Sequence, residues 1–260
     1  MDSTVVAALI GAVVAGAGGL LVPKLIARVP PWEPPPEDED EDEDKVETSS
    51  ETDATIDVPD AQAEDPPEPY ADIAVLPGLA WKSAVAGVIS GAVVGAAVGW
   101  EWAWLLWVPF VPIYVALAVI DWRTRLLPTY LITPTFGALV VLVLVGWAVT
   151  GDGDAVVRAG LGFVTCGAFF FILWFVYPRG LGFGDVRLSG LLGLALGWLG
   201  WGQVLVGMYA GFLLGGVIGG LLALIKIVER KGFPFGPFML LGAVVGLLWG
   251  EPLWSGLVSG

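Results

Sequence analysis

Histidine is absent from the 260 residues, and cysteine occurs once, at Cys166. The lack of histidine excludes Ser-His-Asp and Cys-His catalysis and every histidine-ligated metal site. A single cysteine forms no internal disulfide and cannot complete a cysteine-rich zinc or iron–sulfur site, so no metal site is predicted. Because Cys166 lies within an apolar run, we expect a small buried hydrophobic residue without a chemical role.

Charge is also scarce, since only 15% of the residues are charged. The stretch from Glu33 to Asp72 holds 18 of the 26 acidic residues and one base, Lys45, so it carries a net charge of about −17. The rest of the chain holds 8 acidic and 11 basic residues. With no basic surface, the chain is not expected to bind nucleic acid.

Apolar residues dominate what remains: they make up 56% of the chain, and the mean hydropathy is +0.79. This composition is typical of an all-α polytopic membrane protein that lies in a lipid bilayer. We expect about eight transmembrane helices, of which the sixth is short for a span of about 20 residues. Their predicted ranges are 4–27, 81–100, 102–120, 130–149, 159–177, 188–201, 203–225 and 237–256.

The basic residues predict the topology, because they favour the cytoplasmic side of a membrane. Asp2 precedes the first apolar run, and Lys24 and Arg28 follow it, which is the reverse of a secretory signal peptide. We therefore expect a retained first span with the N-terminus outside. Alternating the sides from there leaves the C-terminus outside and places 11 of the 12 Lys and Arg residues in the cytoplasm.

Three regions follow from this pattern. Residues 1–30 form the first span, residues 31–77 an acidic, Pro-rich cytoplasmic loop, and residues 78–260 a seven-span membrane domain. The loop is too poor in apolar residues to fold alone, so we expect it to be disordered. Its charge would attract a basic peptide, although a solvated tether is the simpler interpretation.

Two aspartates lie at predicted span ends. Asp121 follows the apolar run of residues 112–120, and Asp185 closes the sequence Gly-Phe-Gly-Asp at 182–185. The predicted topology places both at the cytoplasmic membrane boundary, and the two intervening crossings allow them to meet. Taken singly, Asp121 could instead pair with a nearby arginine, and Asp185 could be a helix N-terminal acid.

Two carboxylates that meet in a partly apolar site can share one proton, because like charge and desolvation separate their pKa values. The ionised one can take a proton from water, and the protonated one can donate to the oxygen of a scissile carbonyl. Peptide-bond hydrolysis by such a pair needs neither histidine, cysteine nor metal. Gly182 and Gly184 lack Cβ atoms and would let a substrate backbone approach.

A second Gly-x-Gly-Asp sequence occurs at residues 151–154, which shows that the bare pattern is a weak signal. The predicted topology places Asp154 on the opposite face of the membrane, where it cannot reach Asp121. We therefore assign residues 151–154 to a polar turn.

Three segments together resemble the prepilin peptidases, also called type IV leader peptidases. Residues 121–128 (DWRTRLLP) resemble their first aspartate motif, and residues 180–188 (GLGFGDVRL) resemble their second. Residues 233–238 (FPFGPF) are similar to their late Pro-Phe-Gly-Pro turn. The resemblance covers residues 80–250 well and the first 30 residues thinly.

The resemblance implies a membrane aspartic endopeptidase, in bacteria or archaea, that removes a short basic leader from prepilins or pilin-like secretion subunits on the cytoplasmic side. Asp121 and Asp185 match the two catalytic aspartates of the family. Many members also methylate the new N-terminus with S-adenosylmethionine and carry a four-cysteine zinc module between spans one and two. The acidic loop contains no cysteine, so proteolysis without a cofactor is the expected activity.

Other interpretations remain open at this point. A transporter or structural membrane protein could use the two aspartates to bind a cation or pair with arginines, although no predicted span carries a central charge. An intramembrane protease of the presenilin type shares the Gly-x-Gly-Asp pattern, but its aspartates lie within spans. A Ser-Lys hydrolase lacks any recognisable motif here.

Overall fold

The structure, a computed structural model, describes residues 2–32, 67–178, 180–224 and 233–258. All regular secondary structure in these residues is helical. In chain order the helices are α1 (Ser3–Gly19), α2 (Val22–Ala27), α3 (Tyr70–Ala74), α4 (Leu79–Val98), α5 (Trp102–Trp107), α6 (Val111–Thr124), α7 (Thr129–Thr150), α8 (Gly153–Val176), α9 (Phe183–Leu199), α10 (Trp201–Leu224) and α11 (Gly236–Val258). A 3₁₀ turn at Val108–Phe110 joins α5 to α6.

The chain is an all-α polytopic membrane protein, as its composition predicts. By length and composition, five helical stretches of the described residues can cross a membrane. They are α4, the segment Trp102–Thr124 that consists of α5, the 3₁₀ turn and α6, and then α7, α8 and α11. Helix α1 and the Trp201–Val217 part of α10 are shorter apolar helices.

The helical segments follow the predicted spans in order, with differences at four of them. The first span is interrupted at residues 20–21, because Pro23 opens α2 and has no N–H for a helical bond to the preceding turn. The third span contains the 3₁₀ turn at a second proline, Pro109. The fifth span, predicted over 159–177, is α8, which begins six residues earlier, so Gly153 and Asp154 of the predicted turn belong to the helix. The sixth span, predicted over 188–201, is α9, which begins five residues earlier and ends before Gly200.

Glycines set the closest helix pairs. The four-residue spacing of Gly87, Gly91, Gly95 and Gly99 predicts a helix-packing face. The first three of these glycines lie against the backbone of α1. A Cβ at Gly91 would collide with the carbonyl of Gly11, so the two helices pack backbone to backbone. Gly99 does not pack there but ends α4 with a positive φ of 72°.

The acidic segment lies mostly outside the described residues, so its predicted disorder over 33–66 stays a prediction. Its C-terminal end differs from that prediction, because α3 lies within the range 31–77. Tyr70 and Ile73 on α3 are buried, and the burial of their apolar side chains stabilises the short helix.

Helix α9 is the most enclosed element near the candidate site. From Asp185 to Trp198 every residue except Arg187 is buried, and the helix packs tightly along α8. A helix that is apolar on all sides belongs in the interior of a bundle. Its N-terminus therefore presents Asp185 from within the protein rather than from its surface.

Candidate active site

Asp121 lies near the C-terminal end of α6, and its side chain is only 3% exposed. Three residues later the helix ends because Arg125 adopts a left-handed conformation with φ of 57°. The backbone N–H of Arg125 donates to the carbonyl of Asp121 at 2.8 Å. Left-handed φ is strained for arginine, and it turns the chain sharply beside the aspartate.

Asp185 is the third residue of α9 and is 6% exposed. Its Oδ2 accepts a hydrogen bond of 3.0 Å from the backbone N–H of Gly182, the residue that caps the helix. The helix dipole at this end also favours a carboxylate. Its Oδ1 is buried and, among the described residues, has no hydrogen-bond partner.

A third segment reaches Asp121 from the start of α11. The backbone N–H of Gly236 donates to Asp121 Oδ2 at 2.8 Å. This contact joins residues that are 115 positions apart in the chain. The sequence analysis names the segment 233–238 that contains Gly236 but gives it no role beside the aspartates.

Leu127 connects the three segments. A Cβ placed on Gly184 would lie 2.7 Å from Leu127 Cβ, which is closer than real Cβ contacts come. A Cβ on Gly236 would lie 3.4 Å from Leu127 Cδ2. The chain after Asp121 is thus packed between the first turn of α9 and the turn that opens α11. Gly184, predicted to lie in a loop, is the second residue of α9.

An open cleft of about 400 Å³ brings the predicted residues together. Asp121, Asp185, Gly182 and Gly184 all line it. One wall of the cleft comes from the N-terminal third of the chain, which the sequence analysis does not connect with the site. That wall contains Val29, Pro30, Pro31, Trp32 and Tyr70.

An ion pair fixes part of this wall. Arg123 Nε and Nη2 donate to the two carboxylate oxygens of Glu68, each at 2.6 Å. The Arg123 guanidinium holds the pKa of Glu68 below its usual value. Among the described residues Asp121 has no ion pair, and its neighbour Arg123 is bound elsewhere.

The arrangement provides two buried carboxylates that face one open cleft. Each receives one backbone N–H, from Gly236 or from Gly182. A pair of this kind titrates as one coupled site, because burial and mutual repulsion oppose two simultaneous negative charges. Such a site can hold one proton.

The remaining residues of interest lie outside the cleft. Asp154, predicted to lie in a polar turn, is exposed in the first turn of α8, and only residues 151 and 152 lie outside the helix. Cys166 is 3% exposed, as expected. Within the described ranges no three Cys, Asp or Glu side chains come close enough together to hold a metal ion.

Comparison with known proteins places this chain in a family. The sequence model of the type IV leader peptidase family matches residues 108–250. That range contains Asp121, Asp185 and Gly236, but not the cleft wall at residues 29–32 and 70.

Curated relatives agree with the family match. The chain is 32% identical over 151 residues to the prepilin leader peptidase/N-methyltransferase of Aeromonas salmonicida strain A449. The aligned region covers 54% of this chain and 48% of that protein. Proteins with the same name are 27% identical in Pseudomonas aeruginosa (54% and 47% covered) and 31% identical in Escherichia coli K12 (51% and 58% covered). The chain thus spans about half the length of the curated relatives that it matches. No solved structure matches it.

Proposed function

The chain belongs to the type IV leader peptidase family, and on that basis we propose that it is a membrane aspartic endopeptidase. Its substrates are prepilins or pilin-like secretion subunits, from which it removes the leader peptide. The observation that carries the proposal is the placement of Asp121 and Asp185, two buried carboxylates on different helices, in one open cleft. The substrate backbone approaches over Gly182, which caps α9, and Gly184 in the first turn of that helix.

The chemistry follows from the pair. The ionised carboxylate accepts a proton from water, and the water oxygen attacks the scissile carbonyl carbon. The protonated carboxyl donates its proton to the carbonyl oxygen, so no full negative charge develops there. Breakdown of the tetrahedral intermediate breaks the C–N bond, and the proton taken from water passes to the leaving amine. As the carbonyl reforms, one hydroxyl of the intermediate returns its proton to the other carboxylate, which restores the pair.

The proposed active site faces the cytoplasm. Support comes from charge, because Arg123, Arg125 and Arg187 lie close to the aspartates in sequence, and basic residues favour the cytoplasmic side. By the same rule the residues at 151–154 and both termini lie outside. The site would then meet a leader peptide before the substrate leaves the cytoplasmic membrane, and the acidic segment at 33–66 would favour a leader that is basic.

Proteolysis needs no cofactor in this proposal. The relatives' printed name includes an N-methyltransferase activity, for which S-adenosylmethionine would be required only if this chain also methylates its product. A four-cysteine zinc module does not fit the residues present, because the single cysteine is buried in α8. We therefore propose peptidase activity without assigning methylation.

The test compares cleavage of a co-expressed prepilin by the wild type and by Asp121→Asn, Asp185→Asn and Asp154→Asn. Asparagine keeps the size of aspartate but cannot transfer the proton. We expect the first two variants to insert normally and to lose about 100- to 10,000-fold in rate, which is the usual contribution of a general acid or base. Asp154→Asn is the matched control and should cut like the wild type.

Two results would contradict the proposal. If Asp121→Asn or Asp185→Asn still removes the leader at the wild-type rate, the pair is not catalytic. If all four proteins are inserted but none cuts the prepilin, a transporter or structural role for the boundary aspartates becomes the better explanation.

A further inference from the structure

The turn that opens α11 contributes to the site without a reactive side chain. We propose that Gly236 is a positioning residue for Asp121: its backbone N–H fixes the carboxylate in the cleft and favours the ionised form. This inference rests on the proposed proteolytic function. It makes residues 233–238 the third segment of the active site, beside the two aspartate motifs.

The hydrogen bond is short and buried. Gly236 N–H lies 2.8 Å from Asp121 Oδ2, and the aspartate is 3% exposed, so water competes little for the same oxygen. Among the described residues this is the one hydrogen bond to the side chain of Asp121. Hydrogen bonds to a charged carboxylate are about twice as strong as neutral ones.

Helix geometry explains why this N–H is free to point at the aspartate. The carbonyl of Phe235 accepts from the N–H groups of Phe238 and Met239, each at 3.1 Å, so Gly236 is the first residue of the helix. The N–H of a first helical residue has no partner inside the helix. The next residue, Pro237, has no N–H, and the helix dipole adds partial positive charge at this end.

The close approach also requires glycine. A Cβ at position 236 would lie 2.9 Å from Asp121 Oδ2 and 3.3 Å from its Cγ. A side chain there must push the carboxylate out of place or move α11 away from it. Gly160 in α8 is a suitable contrast, because a Cβ there has no neighbour within 4 Å.

Aromatic contacts hold the turn in position. The Phe235 ring packs on Phe170 of α8 with centroids 5.8 Å apart, and it fills the space above Gly215 of α10. Phe233 stacks on Phe238 at 4.9 Å. The position of the Gly236 N–H is therefore set by packing against α8 and α10, away from the cleft itself.

Several ionisable groups share the cleft with Asp121. They are Asp185 on α9, Arg125 after α6, Tyr70 on α3 and Tyr130 on α7. None of these side chains donates a hydrogen bond to Asp121 in the described structure. Loss of the Gly236 donor would therefore leave the carboxylate without a replacement, and the acidic limb of the pH–rate profile should report that loss.

The experiment compares Gly236→Pro, Gly236→Ala and Gly160→Ala in the purified full chain, with prepilin as the substrate. Alanine keeps the N–H but adds a Cβ that intrudes on the carboxylate. Proline is tolerated at a first helical position, adds a Cβ as well and also removes the N–H, so the difference between the two variants reports the hydrogen bond. We expect both Gly236 variants to lose at least about tenfold in rate. In Gly236→Pro the acidic limb should also move up by about one pH unit, and Gly160→Ala should match the wild type.

A second readout does not depend on cleavage. A water-soluble carbodiimide with an amine nucleophile labels protonated carboxyl groups, and peptide mass spectrometry gives the pH midpoint for labelling of Asp121. We expect this midpoint to rise by about one pH unit in Gly236→Pro and to stay unchanged in Gly160→Ala. If the wild type fails to cut prepilin, the proposed function is wrong, while this measurement still tests the hydrogen bond.

The inference is overturned if the Gly236 variants keep the wild-type rate within twofold at every pH. An equal loss at every pH, with an unchanged labelling midpoint, also overturns it, because a purely structural role predicts that result. If Gly236→Pro does not insert, Phe235→Leu serves as the milder variant. It weakens the contact with Phe170, and it should shift both measurements in the same direction by a smaller amount.

Discussion

The chain contains the pattern Gly-x-Gly-Asp twice, at residues 151–154 and 182–185, and the two copies differ in almost everything except sequence. Both stand at the start of a long helix, α8 or α9. In the first copy Asp152 caps its helix by accepting the N–H of Ala155 at 2.9 Å, and Asp154 is exposed. In the second copy Asp185 is buried and faces the cleft.

The glycines differ in the same way. Gly151 has a φ of 73°, so it is needed for backbone conformation, whereas Gly182 has an ordinary φ of −75°. A Cβ on Gly153 would find only Trp147 Nε1, at 3.8 Å, but one on Gly184 would press on Leu127. The pattern by itself specifies a helix start, and the segments packed around it decide whether its carboxylate can do chemistry.

The largest expected contrast comes from lengthening each terminal aspartate. Asp185→Glu keeps the carboxyl group but displaces it by one methylene in a buried site, so we expect at least about a 100-fold loss of prepilin cleavage. Asp154→Glu is exposed at a helix N-terminus and should leave the rate unchanged. Rates measured at equal amounts of inserted protein test this pair, and equal rates would mean that both copies are turns.

A smaller contrast is expected from the third residue of each copy. Gly184→Ala places a Cβ 2.7 Å from Leu127 and should cost about 1–3 kcal/mol of stability together with at least about tenfold in rate. Gly153→Ala has room and removes a flexible residue from a first helical turn, so it should be neutral or stabilising by about 0.5 kcal/mol. Thermal unfolding in detergent and cleavage rates provide the two numbers. Equal melting temperatures for both variants would show that the Leu127 contact does not matter.

The smallest effects are expected at the first glycines, and there the two readouts should separate. Gly151→Ala forces a left-handed φ on alanine and should cost about 1 kcal/mol of stability with no change in rate. Gly182→Ala has no such strain, but its Cβ would lie 3.4 Å from Asp185 Oδ2, so we expect a few-fold loss of rate at unchanged stability. The reverse assignment of stability and rate would contradict the comparison of the two copies.

Much of this architecture is predictable because it depends on composition. Apolar runs of about 20 residues predict membrane helices, and the spans follow the helices in order. The boundaries are less predictable. Helix α9 begins at Phe183 rather than at residue 188, because its first turns contain Gly184, Asp185 and Arg187, which lower the hydropathy there. Short polar stretches can start a helix that hydropathy alone assigns to a loop.

The site was predictable to the extent that it depends on side chains. Asp121, Asp185, Gly182 and Gly184 do line one cleft, while their catalytic roles stay a prediction. The segment 233–238 was recognised by resemblance, but the contact of Gly236 with Asp121 could not be found in this way, because it is made by a backbone N–H that every residue except proline carries. The ion pair between Arg123 and Glu68 likewise could not be predicted, because it depends on where the end of the long acidic stretch meets α6, and no local pattern encodes that.

The burial of Cys166 has a practical side. At 3% exposure, the one thiol of the chain is shielded from aqueous maleimides, so the natural protein is nearly silent to such reagents. The variants Asp154→Cys and Glu68→Cys would each carry one thiol that such a reagent can modify, because Cys166 is shielded. The side from which a membrane-impermeant reagent labels each thiol would show on which side of the bilayer that position lies. Each variant needs only one substitution.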